Sequence, residues 1–176
     1  MALQGEPVAH NDLVDGSQTT LHSHAGGGGG ATISVIMRRD SAGGQNINAA
    51  STNNLVNFAT TQFSRGSGLT AASDRITVTT AGDVKVWCNL AINSASTRYN
   101  GRVWIRKNGT TDLFARGKSF YVRNTSGHTE SSAYVAIWDS ASVNDYYQVL
   151  VDRESSASTT MNTAANESMF CVELIT

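Results

Sequence analysis

The chain has 176 residues, with 13 basic against 14 acidic side chains and a formal net charge of -1. Charged residues make up only 15% and form no basic run. This argues against nucleic acid as a partner, because phosphate binding needs clustered Lys and Arg. No stretch approaches the roughly 18 apolar residues of a membrane span, so no membrane insertion is expected. Residues 1–6 lack the basic start and apolar core of a signal peptide, so synthesis in a cytoplasm without export by an obvious route is the expectation. One proline and sixteen glycines, with abundant Ser, Thr, Asn and Ala, suit short strands and turns better than helices.

Residues 1–20 are polar and weakly patterned. Next come Leu21-His22-Ser23-His24-Ala25 and five glycines, 26–30. In an extended chain side chains alternate, so His22 and His24 point to the same side. Two imidazoles from one chain are too few to close a metal site, whereas three chains meeting on an axis offer six. The plain alternative is two solvated histidines in a linker. The glycines lack the Gly-Lys-Ser/Thr ending of a phosphate loop and read as a flexible neck. The expected organisation is an attachment segment over 1–20, the histidine motif and neck over 21–30, and a domain over 31–176. A body of about 145 residues buries on the order of 68% of its unfolded surface.

From Ala31 onward the pattern is strands and turns. Ile33–Met37 is a short apolar run. Asp83–Asn93 is the clearest strand, with Val84, Val86, Cys88, Leu90 and Ile92 on one face and Lys85, Trp87, Asn89 and Ala91 on the other. Gly101–Asn108 places Val103 and Ile105 inward, with Arg102, Trp104 and Arg106 outward. Asn108-Gly109 predicts a tight hairpin turn into Leu113–Ala115. Ala133–Trp138, Tyr146–Val151 and Met169–Ile175 complete the set. Gly66–Gly68, Ala81–Asp83 and Ser140–Asp145 read as turns. The sum is an all-β antiparallel sandwich or jelly roll of eight to ten strands.

Three strands lack the alternation of a sheet with one wet face. Ala133–Trp138, Met169–Val172 and Ile33–Met37 carry no charge on either side. The second face must be covered, either by another subunit or by a lid of loops. Cys88 and Cys171 lie in apolar runs and read as buried free thiols rather than a disulfide. No nucleophile elbow or site-like carboxylate pair occurs, so no enzymatic activity is expected. A catalytic two-histidine metal would need a third ligand, for which only Asp12 or Asp15 is near. Trp104, on an otherwise charged face, is the best candidate for an exposed ring that contacts a ligand, against packing under a loop or protomer. His128, in the polar loop Asn124–His128, is a second possible ligand contact.

Asp74–Trp87, Val103–Gly109 and Glu167–Ile175 together resemble the strand signatures of the complement globular-head and tumour-necrosis-factor-like jelly rolls, over residues 32 to 176. That resemblance implies a compact homotrimer. The chain departs from animal members of the group in lacking a Gly-X-Y stalk. Asp15–Gly27 resembles segments of bacteriophage fibre and spike proteins, in which His-X-His motifs of three chains bind iron on the three-fold axis. The resemblance implies a phage virion surface protein. Residues 1–20 would contact other virion proteins, and the knob would bind a host-surface glycan or protein or decorate the capsid. His22 and His24 would hold one structural Fe(II), or another octahedral transition metal, per trimer; six nitrogens disfavour zinc, which prefers four ligands. A soluble trimeric binding module without a virion role is the competing reading.

Overall fold

The alternation of Asp83–Asn93 is realised in full. Val84, Val86, Cys88, Leu90 and Ile92 are all at 0% exposure, while Lys85, Trp87 and Asn89 are half-buried on the other side. The structure, a computed structural model, describes residues 33–39, 44–47, 53–58, 60–72, 74–93, 98–123, 127–153, 161–164 and 166–175. All of these fall within the unit Ala31–Thr176. The strands among the described residues are β1 (Ile33–Arg39), β2 (Asn54–Leu55), β3 (Thr60–Arg65), β4 (Leu69–Ala72), β5 (Arg75–Val78), β6 (Gly82–Asn93), β7 (Tyr99–Lys107), β8 (Thr111–Val122), β9 (Glu130–Ala141), β10 (Tyr146–Arg153), β11 (Asn162–Thr163) and β12 (Ser168–Ile175). No helix occurs among the described residues.

The strands form two antiparallel sheets. The first runs β3–β1–β12–β6–β9, with β11 pairing the end of β6 beyond β12. The second runs β4–β5–β10–β7–β8, with β2 pairing β10 beyond β5. Inward side chains of both sheets make one core, including Phe58, Ile76, Tyr99, Ile105, Tyr147 and Phe170. Phe58 and Phe170 meet with ring centroids 5.4 Å apart, and Tyr99 stacks on Phe120 at 5.8 Å. Both spacings suit favourable ring pairs.

The expected hairpin turn forms. Asn108 (φ 54°) and Gly109 (φ 72°) are both left-handed, and the Thr110 N–H donates to the Lys107 carbonyl at 3.2 Å. This is the turn whose twist matches that of the flanking strands. Other boundaries differ from the sequence reading. Ala81–Asp83 is no turn, since Gly82 and Asp83 open β6, and β9 continues through Ser140 and Ala141. The strand expected over Leu113–Ala115 extends over Thr111–Val122. The described strands exceed the eight to ten expected because β2, β3, β4 and β11 are short or polar. Five of the six β3 residues are exposed, for example, so they leave no apolar period to read.

Cys88 and Cys171 are free and buried, as expected. They lie on adjacent strands, but the register pairs Cys88 with Phe170 and Cys171 with Trp87. The two thiols therefore point to opposite faces of the sheet.

Gly101 sits where β7 passes closest to its neighbours. A Cβ there would collide with Phe120 Cζ and lie 2.6 Å from Tyr99 Cε1 and 2.9 Å from the Asp152 carbonyl oxygen. One of the three is rigid backbone, and the two rings are locked in their stack. Gly101→Ala is predicted to destabilise the fold by about 1–3 kcal/mol, the usual cost of overpacking. The urea midpoint should fall with an unchanged slope; an unaltered midpoint would contradict the packing.

Candidate functional site

Residues directly opposite on paired strands share a face. Phe63 (β3) pairs with Ile36 (β1), Ile36 with Cys171 (β12), Cys171 with Trp87 (β6), and Trp87 with Ala136 (β9). These five residues form one uncharged row across β3, β1, β12, β6 and β9 of the first sheet, on the face turned away from the core. Five strands at about 4.8 Å spacing make it about 19 Å wide. Tyr134 and Asn89 lie one step to one side of it. Arg65, Ser34, Glu173, Lys85 and Trp138 make the row on the other side, and Ile175, Asp83 and Ser140 follow at the end of the sheet.

This outer face is aromatic and open. Phe63 is 47%, Tyr134 53% and Trp138 67% exposed. The Trp87 indole N–H donates to Glu173 Oε1 at 3.0 Å, and its ring lies 6.2 Å from that of Tyr134. Cys171 is nearly inaccessible among these side chains. Burial pushes its thiol up to about 12, with the Glu173 carboxylate adding to the effect. Cys88, in the core, is raised by burial alone. Neither thiol is a nucleophile at neutral pH.

The second sheet is built differently. Its outward row Leu55–Leu150–Trp104 is set by register, yet Leu150 and Trp104 are only 3% and 2% exposed. Trp104 thus does not offer the exposed ring expected of it. Its indole N–H donates to Asp112 Oδ1 at 2.9 Å, the same oxygen that Arg106 Nε meets at 2.6 Å, and the Arg106 guanidinium lies 5.9 Å from the ring centre. The register of β8 steps from Leu113 opposite Ile105 to Lys118 opposite Val103. Residues 114–117 therefore stand as a bulge against the single position 104. His128 is exposed beside Gly127 (φ 82°). His22 and His24 lie outside the described residues. Among the described residues, no three His, Cys, Asp or Glu side chains converge as metal ligands.

No family model matches the chain, and no curated protein matches it. Solved structures do. Murine APRIL at pH 8.0 aligns with a TM-score of 0.56 at 15% identity, over 82% of this chain and 99% of that one. The globular domain of zebrafish complement 1qA protein aligns at 0.53 and 14% identity, over 84% and 98%. Eiger TNF from S. frugiperda aligns at 0.53 and 10%, over 82% and 93%. The fold is a tumour-necrosis-factor-like jelly roll.

One end of this jelly roll is pinned by a charge network that the sequence reading did not find. Lys107 Nζ, from the second sheet, contacts Asp139 Oδ2 at 2.8 Å, Asp145 Oδ2 at 2.9 Å and the Ser140 carbonyl at 3.0 Å. Tyr147, also from the second sheet, donates its hydroxyl to Asp139 Oδ2 at 2.7 Å. Both contacts cross to β9 of the first sheet. Burial works against the Lys107 charge, but hydrogen bonds to Asp139 and Asp145 outweigh it, so the ammonium binds its proton more firmly than usual. Burial raises the Tyr147 phenol, and Asp139 raises it further. The available signal was the period-two continuation of β9, which turns Asp139 to the same side as Ile137.

Asp145 is the titratable end of this network. Its carboxylate accepts from Asn108 Nδ2 at 2.7 Å, from Lys107 and from the Ser142 N–H at 2.8 Å, which together hold it down at about 2 against an ordinary 3.8. A carboxyl depressed in the folded state contributes stability that is full above its unfolded value and is lost as pH falls through the folded one. The urea midpoint of the native protein is predicted to drop between about pH 4 and pH 2 more steeply than that of Asp145→Asn. Equal slopes for the two proteins would contradict the assignment.

Proposed function

We propose that this protein is a non-enzymatic homotrimeric recognition module on a phage virion, its jelly roll turned outward to bind a host-surface glycan or protein or to decorate the capsid. The observation that carries the assembly is the uncharged row Phe63–Ile36–Cys171–Trp87–Ala136 and the open Tyr134 beside it. A contiguous apolar face of this size in water marks an interaction surface. A homo-oligomer covers such a face with the fewest new parts. Three copies fit both the jelly-roll resemblance and the six imidazoles that paired histidines supply only at that stoichiometry.

The virion part rests on the leader. Residues 1–20 attach to other virion proteins, and His22 and His24 of three chains hold one structural Fe(II). Ligation stabilises only the aligned trimer, because separated or misaligned chains cannot complete the ligand set. The metal thus acts on register rather than on any substrate.

A carboxylate placed in the row separates this reading from a lone sandwich. Ala136→Asp would bury an unpaired charge in each copy at a cost of several kcal/mol. It is predicted to convert the trimer to monomer in sedimentation velocity while near-ultraviolet circular dichroism stays native. Ser119→Asp, at an exposed position of β8 in the other sheet, should leave the trimer intact. A native protein that sediments as a monomer, or a variant that stays trimeric, would overturn the proposal.

A further inference from the structure

Trp138 stands apart from the row that the proposed trimer covers. Its own row carries Lys85, Glu173 and Arg65, and the next carries Asp83 and Ser140. Interface centres are depleted of charge, so this end of the sheet fits a rim position. Yet Trp138 is the most exposed large apolar side chain among the described residues, at 67%. An indole left in water beside charges calls for an explanation other than packing between copies.

An open cleft of about 560 Å³ lies at this ring, lined by Asp83, Trp138, Asp139, Ser140 and Ile175. Its volume is within the range of small-molecule sites. The polar groups are fixed in advance. Ser140 Oγ donates to Asp83 Oδ1 at 2.6 Å, and Asp139 is held by Lys107 and Tyr147. A carboxylate offers about four acceptor positions, so Asp83 retains capacity for further donors.

We propose that this cleft is a binding subsite for a neutral saccharide. A pyranose has one face of axial C–H groups and an edge of hydroxyl donors. The C–H face lies on the flat Trp138 ring, removing apolar surface from water on both sides. The hydroxyls donate to Asp83 in charge-assisted bonds, which are the stronger kind. Ile175 closes the apolar floor. The Asp83 carboxylate beside the ring disfavours sialic acid and sulfated sugars, so the site selects for uncharged glycans. Locking the Asp83 carboxylate against Ser140 before the ligand arrives removes part of the ordering cost of binding. The inference deepens the proposed host-surface role by naming the class of ligand and the place it binds.

The test uses the intact chain. Methyl pyranosides of glucose, galactose, mannose and N-acetylglucosamine, and their disaccharides, are titrated with saturation-transfer NMR and tryptophan fluorescence, with sialic acid as the anionic counterpart. The expected result is binding of at least one neutral sugar and none of sialic acid. Trp138→Ala should weaken that binding about tenfold or more, Trp138→Phe should restore part of it, and Asp83→Asn should weaken it as well. Trp138 is largely outside the core, so these variants keep the fold, and sedimentation velocity on each reports assembly separately. Failure of every neutral sugar to bind, or binding that survives Trp138→Ala, overturns the inference. Loss of the trimer in Trp138→Ala also overturns it, by making the ring a protomer contact while leaving the trimeric reading in place. Saccharide binding by a protein that proves monomeric would uphold the subsite and remove the trimer.

Discussion

The first sheet has two apolar faces, and most of what distinguishes this protein follows from that. β6 commits Val84, Val86, Cys88, Leu90 and Ile92 to the core at 0% exposure. Its other side carries Trp87, which joins the uncharged row that runs from Phe63 to Ala136. A single sandwich has only one interior, so the second face is the one on which the proposed assembly forms. The second sheet differs. Its outward Trp104 and Leu150 are already covered within the chain, at 2% and 3% exposure. The asymmetry between the two sheets is what points the assembly to one side of the molecule.

The charges are placed around that face rather than on it. Lys107, Asp139 and Asp145 tie the two sheets together at one end of the sandwich. Lys85, Glu173 and Arg65 occupy the row beside the apolar one. These charged residues close one end of the fold and border the apolar row, leaving the row itself free of ions. Trp138 falls where the charged border meets the pinned end, which sets it apart from Trp87 and Tyr134 although all three share one side of the sheet.

Legibility in the sequence tracked how local the physics was. The core face of β6 and the Asn108-Gly109 turn were readable because alternation and left-handed backbone depend on a few consecutive residues. The two-sided character of β9 and β12 was readable as an absence of charge. Trp104 was left open between an exposed ring and a packed one because its direction is local but its cover is not. Alternation rightly turns it outward, while the Asp112–Arg106 pair engages it from that side. The short strands β2 and β11 were invisible because two residues carry no period. The Lys107 network joins positions more than thirty residues apart, and only the folded register brings them together. His22 and His24 remain a statement about spacing alone, outside the described residues.

The central claim is that three copies of the chain meet across the uncharged row, with their histidine pairs completing one metal site. Native mass spectrometry of the intact protein, with elemental analysis of the same sample, addresses both halves at once. The account predicts a single species of three chains carrying one transition-metal ion. A metal-free monomer would contradict it.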